Sequence, residues 1–150
     1  MEDGDKDIMS DFDNDTQKII QKIVDYCRKG NIWGIRDILR SVPESEQGSL
    51  LNQYDKFGDT ALIAASSNGH VTLMQYLLKI PGVDPNIGTE RTQFTPLMLA
   101  AANGNKQIVE MLLHMPTINT EIKGINKMTA AEEAIYADHP DVSDMIRTKL

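Results

Sequence analysis

The residues of this 150-residue chain that could do chemistry are few: three histidines, one cysteine and a run of aspartates near the N-terminus. His70, His114 and His139 are candidate bases or ligands, yet none has a cysteine or a paired carboxylate at the spacing a metal site uses. Structural roles are expected for all three, and no metal. Cys27 has no basic pattern around it beyond Arg28 and Lys29, so it reads as a packed thiol rather than a nucleophile. Asp11-Phe12-Asp13-Asn14-Asp15 begins like a calcium loop, which requires glycine at its sixth position and glutamate at its twelfth. Those positions hold Thr16 and Lys22, and the calcium reading fails on both. No nucleophile, base and orienting group stand together, which points away from an enzyme, and nothing calls for a cofactor.

The charge belongs to one end. Residues 1–15 hold seven acids against Lys6, while the other 135 residues hold 15 acids and 14 bases, within a formal total of −7. Such a lead-in is expected to be a disordered acidic tail over residues 1–15. A nearly neutral body has no basic footprint, so no nucleic-acid partner is expected. No apolar run approaches the roughly 18 residues of a membrane span, and the N-terminus lacks the basic start and apolar stretch of a signal peptide. The expectation is a monomer, without a membrane partner, in the cytoplasm or nucleus. A single cysteine excludes an internal disulfide framework, and Asn14-Asp15-Thr16 is a glycosylation sequon by chance.

The elements that would hold these residues repeat. TALIAASSNGHVTLMQYLL, Thr60 to Leu78, aligns without gaps on TPLMLAAANGNKQIVEMLL, Thr95 to Leu113, at a step of 35. TAAEEAIYADHPDVSDMIR, Thr129 to Arg147, follows 34 residues on, and IVDYCRKGNIWGIRDIL, Ile23 to Leu39, aligns upstream with Gly30 matched to Gly69. A recurring period in this range means one supersecondary unit used several times. Thr60, Thr95 and Thr129 can cap a starting helix, and Pro96 suits its first position. Alanine pairs at 64–65 and 100–101 permit close helix approach. Gly69, Gly104 and Gly30 suit a left-handed helix end. Leu73, Leu77 and Leu78, then Ile108, Met111, Leu112 and Leu113, have the spacing of a second helix. Met74, Met98, Met111 and Met145 fall on these helices and read as core filling.

Helix, tight turn, helix and projecting hairpin at about 33 residues resembles the ankyrin repeat, with its T-P-L-H-x-A-A pattern. The hairpin asparagine of that family is matched at Asn86, Asn119 and Asn52. The resemblance implies an all-α ankyrin-repeat solenoid of about eight helices over residues 16–150. Its four repeats fall near 17–50, 51–85, 86–119 and 120–150. The first and last are read as caps. Tyr26-Cys27 replace the alanines of the first, and Glu132-Glu133 and Asp138 depart from the pattern in the last. Trp33 aligns with polar Thr72 and Gln107, and either covers the end of the stack or anchors a partner. Thr148-Lys149-Leu150 has the pattern that PDZ domains read, and is expected to finish the last helix.

The resemblance also implies function: a non-enzymatic module, adaptor or inhibitor, binding a partner protein on a concave surface of hairpins and first helices. The alternative is a scaffold or targeting subunit of a larger enzyme complex. The family's contact positions fall at Lys56, Phe57 and Asp59, at Arg91, Thr92 and Phe94, and at Ile125, Asn126 and Met128 on the hairpins. On the first helices they are Ser66 and Ser67, Ala102 and Asn103, and Tyr136 and Ala137. Phe57, Phe94, Met128 and Tyr136 are expected to be exposed as a set, beyond what solubility calls for.

Overall fold

A computed structural model describes residues 3–149, with side chains from residue 13 onward. Among the described residues the elements are nine helices: α1 Asp3–Lys29, α2 Ile32–Leu39, α3 Glu44–Leu51, α4 Ala61–Ser67, α5 Val71–Leu78, α6 Pro96–Ala102, α7 Lys106–Leu113, α8 Ala130–Tyr136 and α9 Pro140–Thr148. They form four pairs, α1/α2, α4/α5, α6/α7 and α8/α9. The first helices pack in a row, α1 on α4, α4 on α6 and α6 on α8. The second helices make a parallel row, α5 on α7 and α7 on α9.

Local chemistry starts and stops each pair. The Thr60, Thr95 and Thr129 hydroxyls accept from the backbone N–H of Ile63, Met98 and Glu132, and Glu132 returns a bond to the Thr129 N–H as a capping box. After the first helices the chain turns through Gly30, Gly69 and Gly104 at φ of +69°, +70° and +68°. Asp138 takes the same turn in the last pair at +66°, so the residue that breaks the glycine pattern keeps its conformation. Ala64, Ala65, Ala100, Ala101 and Ala134 are buried between the rows, where a larger side chain would hold the helices apart. Leu73, Met74 and Leu77 on α5, Ile108, Val109 and Leu112 on α7, and Val142 and Ile146 on α9 complete the core.

Two elements differ from expectation. Helix α1 runs back to Asp3, through the stretch expected to be an unstructured tail. Asp3 and Asp5 in its first turn complement the positive end of the helix dipole, which favours starting the helix there. That part draws little on packing: Asp13 to Ile19 are all exposed, and burial begins at Ile20. Side chains of residues 3–12, Ile8, Met9 and Phe12 among them, lie outside the described residues. The second difference is α3, a ninth helix inside the link from Arg40 to Gln53. It buries only Gly48 and Leu51, too few positions to leave a period in the sequence. At the C-terminus only Thr148 of the three residues expected to finish α9 is helical: Lys149 turns left-handed at φ +52°, and Leu150 lies outside the described residues.

Candidate functional site at the hairpin edge

Three hairpins precede α4, α6 and α8. Each is closed by a backbone bond, Asp55 N–H to Asp59 O at 2.9 Å, Thr89 N–H to Phe94 O at 3.0 Å and Gly124 N–H to Met128 O at 3.2 Å. Each turns through one residue of positive φ, Gly58, Gln93 or Lys127. The tips are also tied to one another: Glu90 N–H donates to Gly58 O at 3.0 Å, and Ile125 N–H donates to Thr92 O at 2.9 Å. These bonds make the three tips one continuous edge. Behind it, an asparagine ladder joins the links. Asn52 accepts from Asp84 N–H at 2.9 Å and donates to Gly82 O at 2.8 Å, while Asn86 accepts from Asn119 N–H and donates to Thr117 O, both at 2.8 Å.

The first tip is clamped from α1. Arg28 donates to Asp25 at 2.7 Å, to Asp55 at 2.6 Å and to Asp59 at 2.9 Å. The Asp55 side chain is fully buried, and its other oxygen accepts from Phe57 N–H and Asp59 N–H. Burial of the Arg28 head opposes its charge, but its bonds to Asp55 and Asp59 outweigh this and hold its pKa above the usual value. Phe57 is thereby fixed with Arg28 5.1 Å and Lys56 5.0 Å from its ring centre. Sequence reasoning missed Arg28, although with Gly30 matched to Gly69 it takes the place that the contact position Ser67 has one repeat on. The aspartate pair Asp55 and Asp59, bracketing a tip and facing an arginine one repeat upstream, was the available signal.

The expected site residues separate into three groups. Phe57, Ile125 and Tyr136 are 65%, 66% and 83% exposed, and Lys56, Ser67, Arg91, Asn103 and Asn126 are exposed polar neighbours. Asn103 bridges repeats by donating to Ser67 O at 3.1 Å, and Asn126 bonds Glu133. Asp59, Thr92, Ala102 and Ala137 are half-buried. The remaining three correct the expectation. Ser66 is fully buried and donates to Pro96 O at 2.7 Å, tying α4 to α6, so it is out of a partner's reach. Phe94 and Met128 are half-buried. Phe94 packs beneath the third hairpin, where a Cβ at Gly124 would fall 2.6 Å from its ring. Both stand just before a capping threonine, and Phe94 packs against the core from there, whereas Phe57 stands two positions earlier, at the tip.

The remaining candidates are structural. Cys27 is fully buried, and burial pushes its thiol up to about 12, against a smaller opposing pull from Arg28. His70 bonds Arg28 O through Nε2 at 2.8 Å, and His114 bonds Glu110 O at 2.7 Å. His139 lies over Gly104, where a Cβ would meet its ring at 2.6 Å. Trp33 is 73% exposed on α2 with Arg36 over its ring, so it covers little of the stack; Tyr26, packed on Gly34, does that instead.

The family model for ankyrin repeats in three copies matches residues 23–124. The chain is an ankyrin-repeat protein. Among curated proteins no sequence matches it. In fold, 371 chains of solved structures match this ankyrin stack, so its shape alone selects no partner. One is from the crystal structure of the yeast ribosomal protein Rps3 in complex with its chaperone Yar1. It matches at TM-score 0.77 and 23% identity, over 89% of this chain and 94% of that one. Identity at that level shows a shared fold.

Proposed function

We propose that this ankyrin-repeat protein is a non-enzymatic adaptor or inhibitor that holds a partner protein against its hairpin edge. The observation that carries the reading is the exposure of Phe57 and Ile125 on an edge made rigid by bonds between its tips, with Tyr136 exposed at the end of α8. Large apolar side chains at those positions add nothing to the core. Presented on a fixed backbone they make anchors whose ordering cost is already met on folding. The crystal of a ribosomal protein with its chaperone, similar in fold, supports a protein as the class of ligand. The acidic arm over residues 1–15 would add attraction for a basic partner and a salt dependence of binding.

The test is affinity capture with the full chain as bait, comparing the native sequence with Phe57→Ala combined with Ile125→Ala. Truncating anchors of this kind typically costs about 2 kcal/mol or more, roughly thirtyfold in affinity. The double variant is expected to lose the captured partner while its thermal melt moves by only a few degrees. Asp144→Ala on α9 is expected to lose nothing. Retention of the partner by the double variant would refute the edge as the binding surface.

A further inference from the structure

Helix α1 has 27 residues, whereas the other first helices, α4, α6 and α8, have seven each. Gln21 stands level with the first hairpin, where its side-chain oxygen accepts from Lys56 N–H at 3.1 Å. The residues before it run on past that hairpin, and all those from Asp13 to Ile19 are exposed. At 1.5 Å per residue the whole helix is about 40 Å long.

Its charges are sorted along one line. At 3.6 residues per turn, Asp7, Asp11, Asp15, Lys18, Lys22 and Lys29 fall within roughly 80° of one another around the axis. That line lies opposite Ile20, Ile23, Val24 and Cys27, which are buried in the core. Its first half is acidic and its second half basic. Ile8, Phe12, Ile19 and Tyr26 take register positions along one side of it; of these, Ile19 is 42% exposed and Tyr26 is half-buried. The surroundings agree in sign. Residues 1–15 hold seven acids against one base, and residues 16–40 hold six bases against two acids. One of those two acids, Asp25, is already bonded to Arg28. A continuous helix cannot fold its acidic half onto its basic half. Within one copy the halves meet at their boundary, where Asp15 and Lys18 are 3.8 Å apart.

We infer that α1 is the seam of a two-fold homodimer in which two α1 helices pair antiparallel. A crossing between Asp15 and Lys18 sets Asp11 and Asp15 of each copy against the partner's Lys22 and the partner's Lys18. The same register brings the position of Phe12 near the partner's Ile19, and that of Ile8 near the partner's Tyr26. Parallel pairing would set acid on acid and base on base, so charge selects the antiparallel form. The mate must carry bases where this helix carries acids, over the same length and in reversed order. A second copy of this chain meets all three conditions. The monomer expected from the sequence did not allow for a helical arm. The line shares no residue with the hairpin edge, so the inference does not depend on the reading above.

Exposed ion pairs are individually weak and screened by salt, which sets the test. Sedimentation equilibrium of the full chain, from about 5 to 300 µM, spans the expected dissociation constant of about 10–100 µM. In low salt the mass should rise with concentration from 16.7 kDa toward twice that value. Salt at about 0.5 M should weaken the dimer at least tenfold. Lys18→Glu with Lys22→Glu, and separately Asp11→Lys with Asp15→Lys, should each keep the monomer mass when alone. Mixed in equal amounts, these variants have every charge pair restored and should associate. If the Asp-to-Lys variant loses helicity by circular dichroism, the Lys-to-Glu variant and the salt dependence still decide the case. Phe57→Ala should leave the mass curve unchanged, which separates this surface from the hairpin edge. A monomer mass at every concentration would overturn the inference, as would a dimer that ignores salt or persists in either charge variant alone. Failure of two helical charge variants to associate on mixing would equally overturn it.

Discussion

At the residue scale, two side chains stand where the repeat pattern has something else, and each leaves a measurable trace. Cys27 occupies an alanine position, fully buried, with its pKa raised from 9.0 to about 12. The unfolded chain gives up this proton near pH 9 and the folded chain does not, so above that point the unfolded state binds fewer protons. Its contribution is therefore intact below pH 9 and declines as pH rises toward 12, by up to about 1.4 kcal/mol per pH unit. Cys27→Ala is expected to flatten the alkaline limb of the stability curve by one proton, and denaturant titrations at pH 8, 9 and 10 would read it. An unchanged slope would place the thiol in contact with water. Asp138 is the other case, left-handed at φ +66° where its counterparts are glycine. Asp138→Gly should stabilise by about 0.5–1 kcal/mol, because the glycine tolerates positive φ without strain. Gly104→Val, at φ +68° with the His139 ring over it, should cost more than about 1 kcal/mol. Equal melts for those two variants would mean that backbone strain does not govern these turns.

At the element scale, the sequence is most informative where a helix pair buries a full face. Thr60–Leu78 and Thr95–Leu113 were readable to the residue because capping, glycine and apolar spacing all agree there. Ser66 and Phe94 were misread for a physical reason. Position in a repeat says which face a side chain leaves from, but not whether the neighbouring unit closes over it. Helix α3 buries two residues, and the extension of α1 beyond Ile20 buries none from Asp13 onward, so neither has a tertiary pattern to show. Deleting residues 1–15 should accordingly leave the melting temperature within a few degrees while lowering mean helicity. A large loss of stability would show that the arm packs on the stack. The Arg28 clamp predicts the opposite behaviour for a single atom group. Asp55→Ala removes a fully buried carboxylate that pairs with Arg28 and caps two N–H groups, and should cost about 3 kcal/mol. Asp59→Ala, with its carboxylate 27% exposed, should cost well under half of that.

At the scale of the whole molecule, the main helix contacts among the described residues run from each pair to its neighbours, so stability is a chain of junctions. The hairpin edge follows the same rule. Its tips are held by Gly58 O and Thr92 O across successive repeats, and a tip keeps its place only while the pair behind it is docked. This links local stability to binding at α8 and α9, whose main contacts outside their own pair, among the described residues, are with α6 and α7. Ala134, fully buried on α8, faces that junction. Replacing it with leucine overpacks the contact and should cost about 1–3 kcal/mol. In a nearest-neighbour stack the loss stays at the last junction. Hydrogen exchange should therefore quicken in α8, in α9 and at the Ile125 N–H that bonds Thr92 O, while α5 and α7 keep their protection. Affinity for a partner held at the edge should fall in step, since Ile125 and Tyr136 lie on the freed pair and Phe57 does not. Uniform loss of protection across all helices would instead mark the stack as a single cooperative unit, in which the edge is kept or lost as a whole.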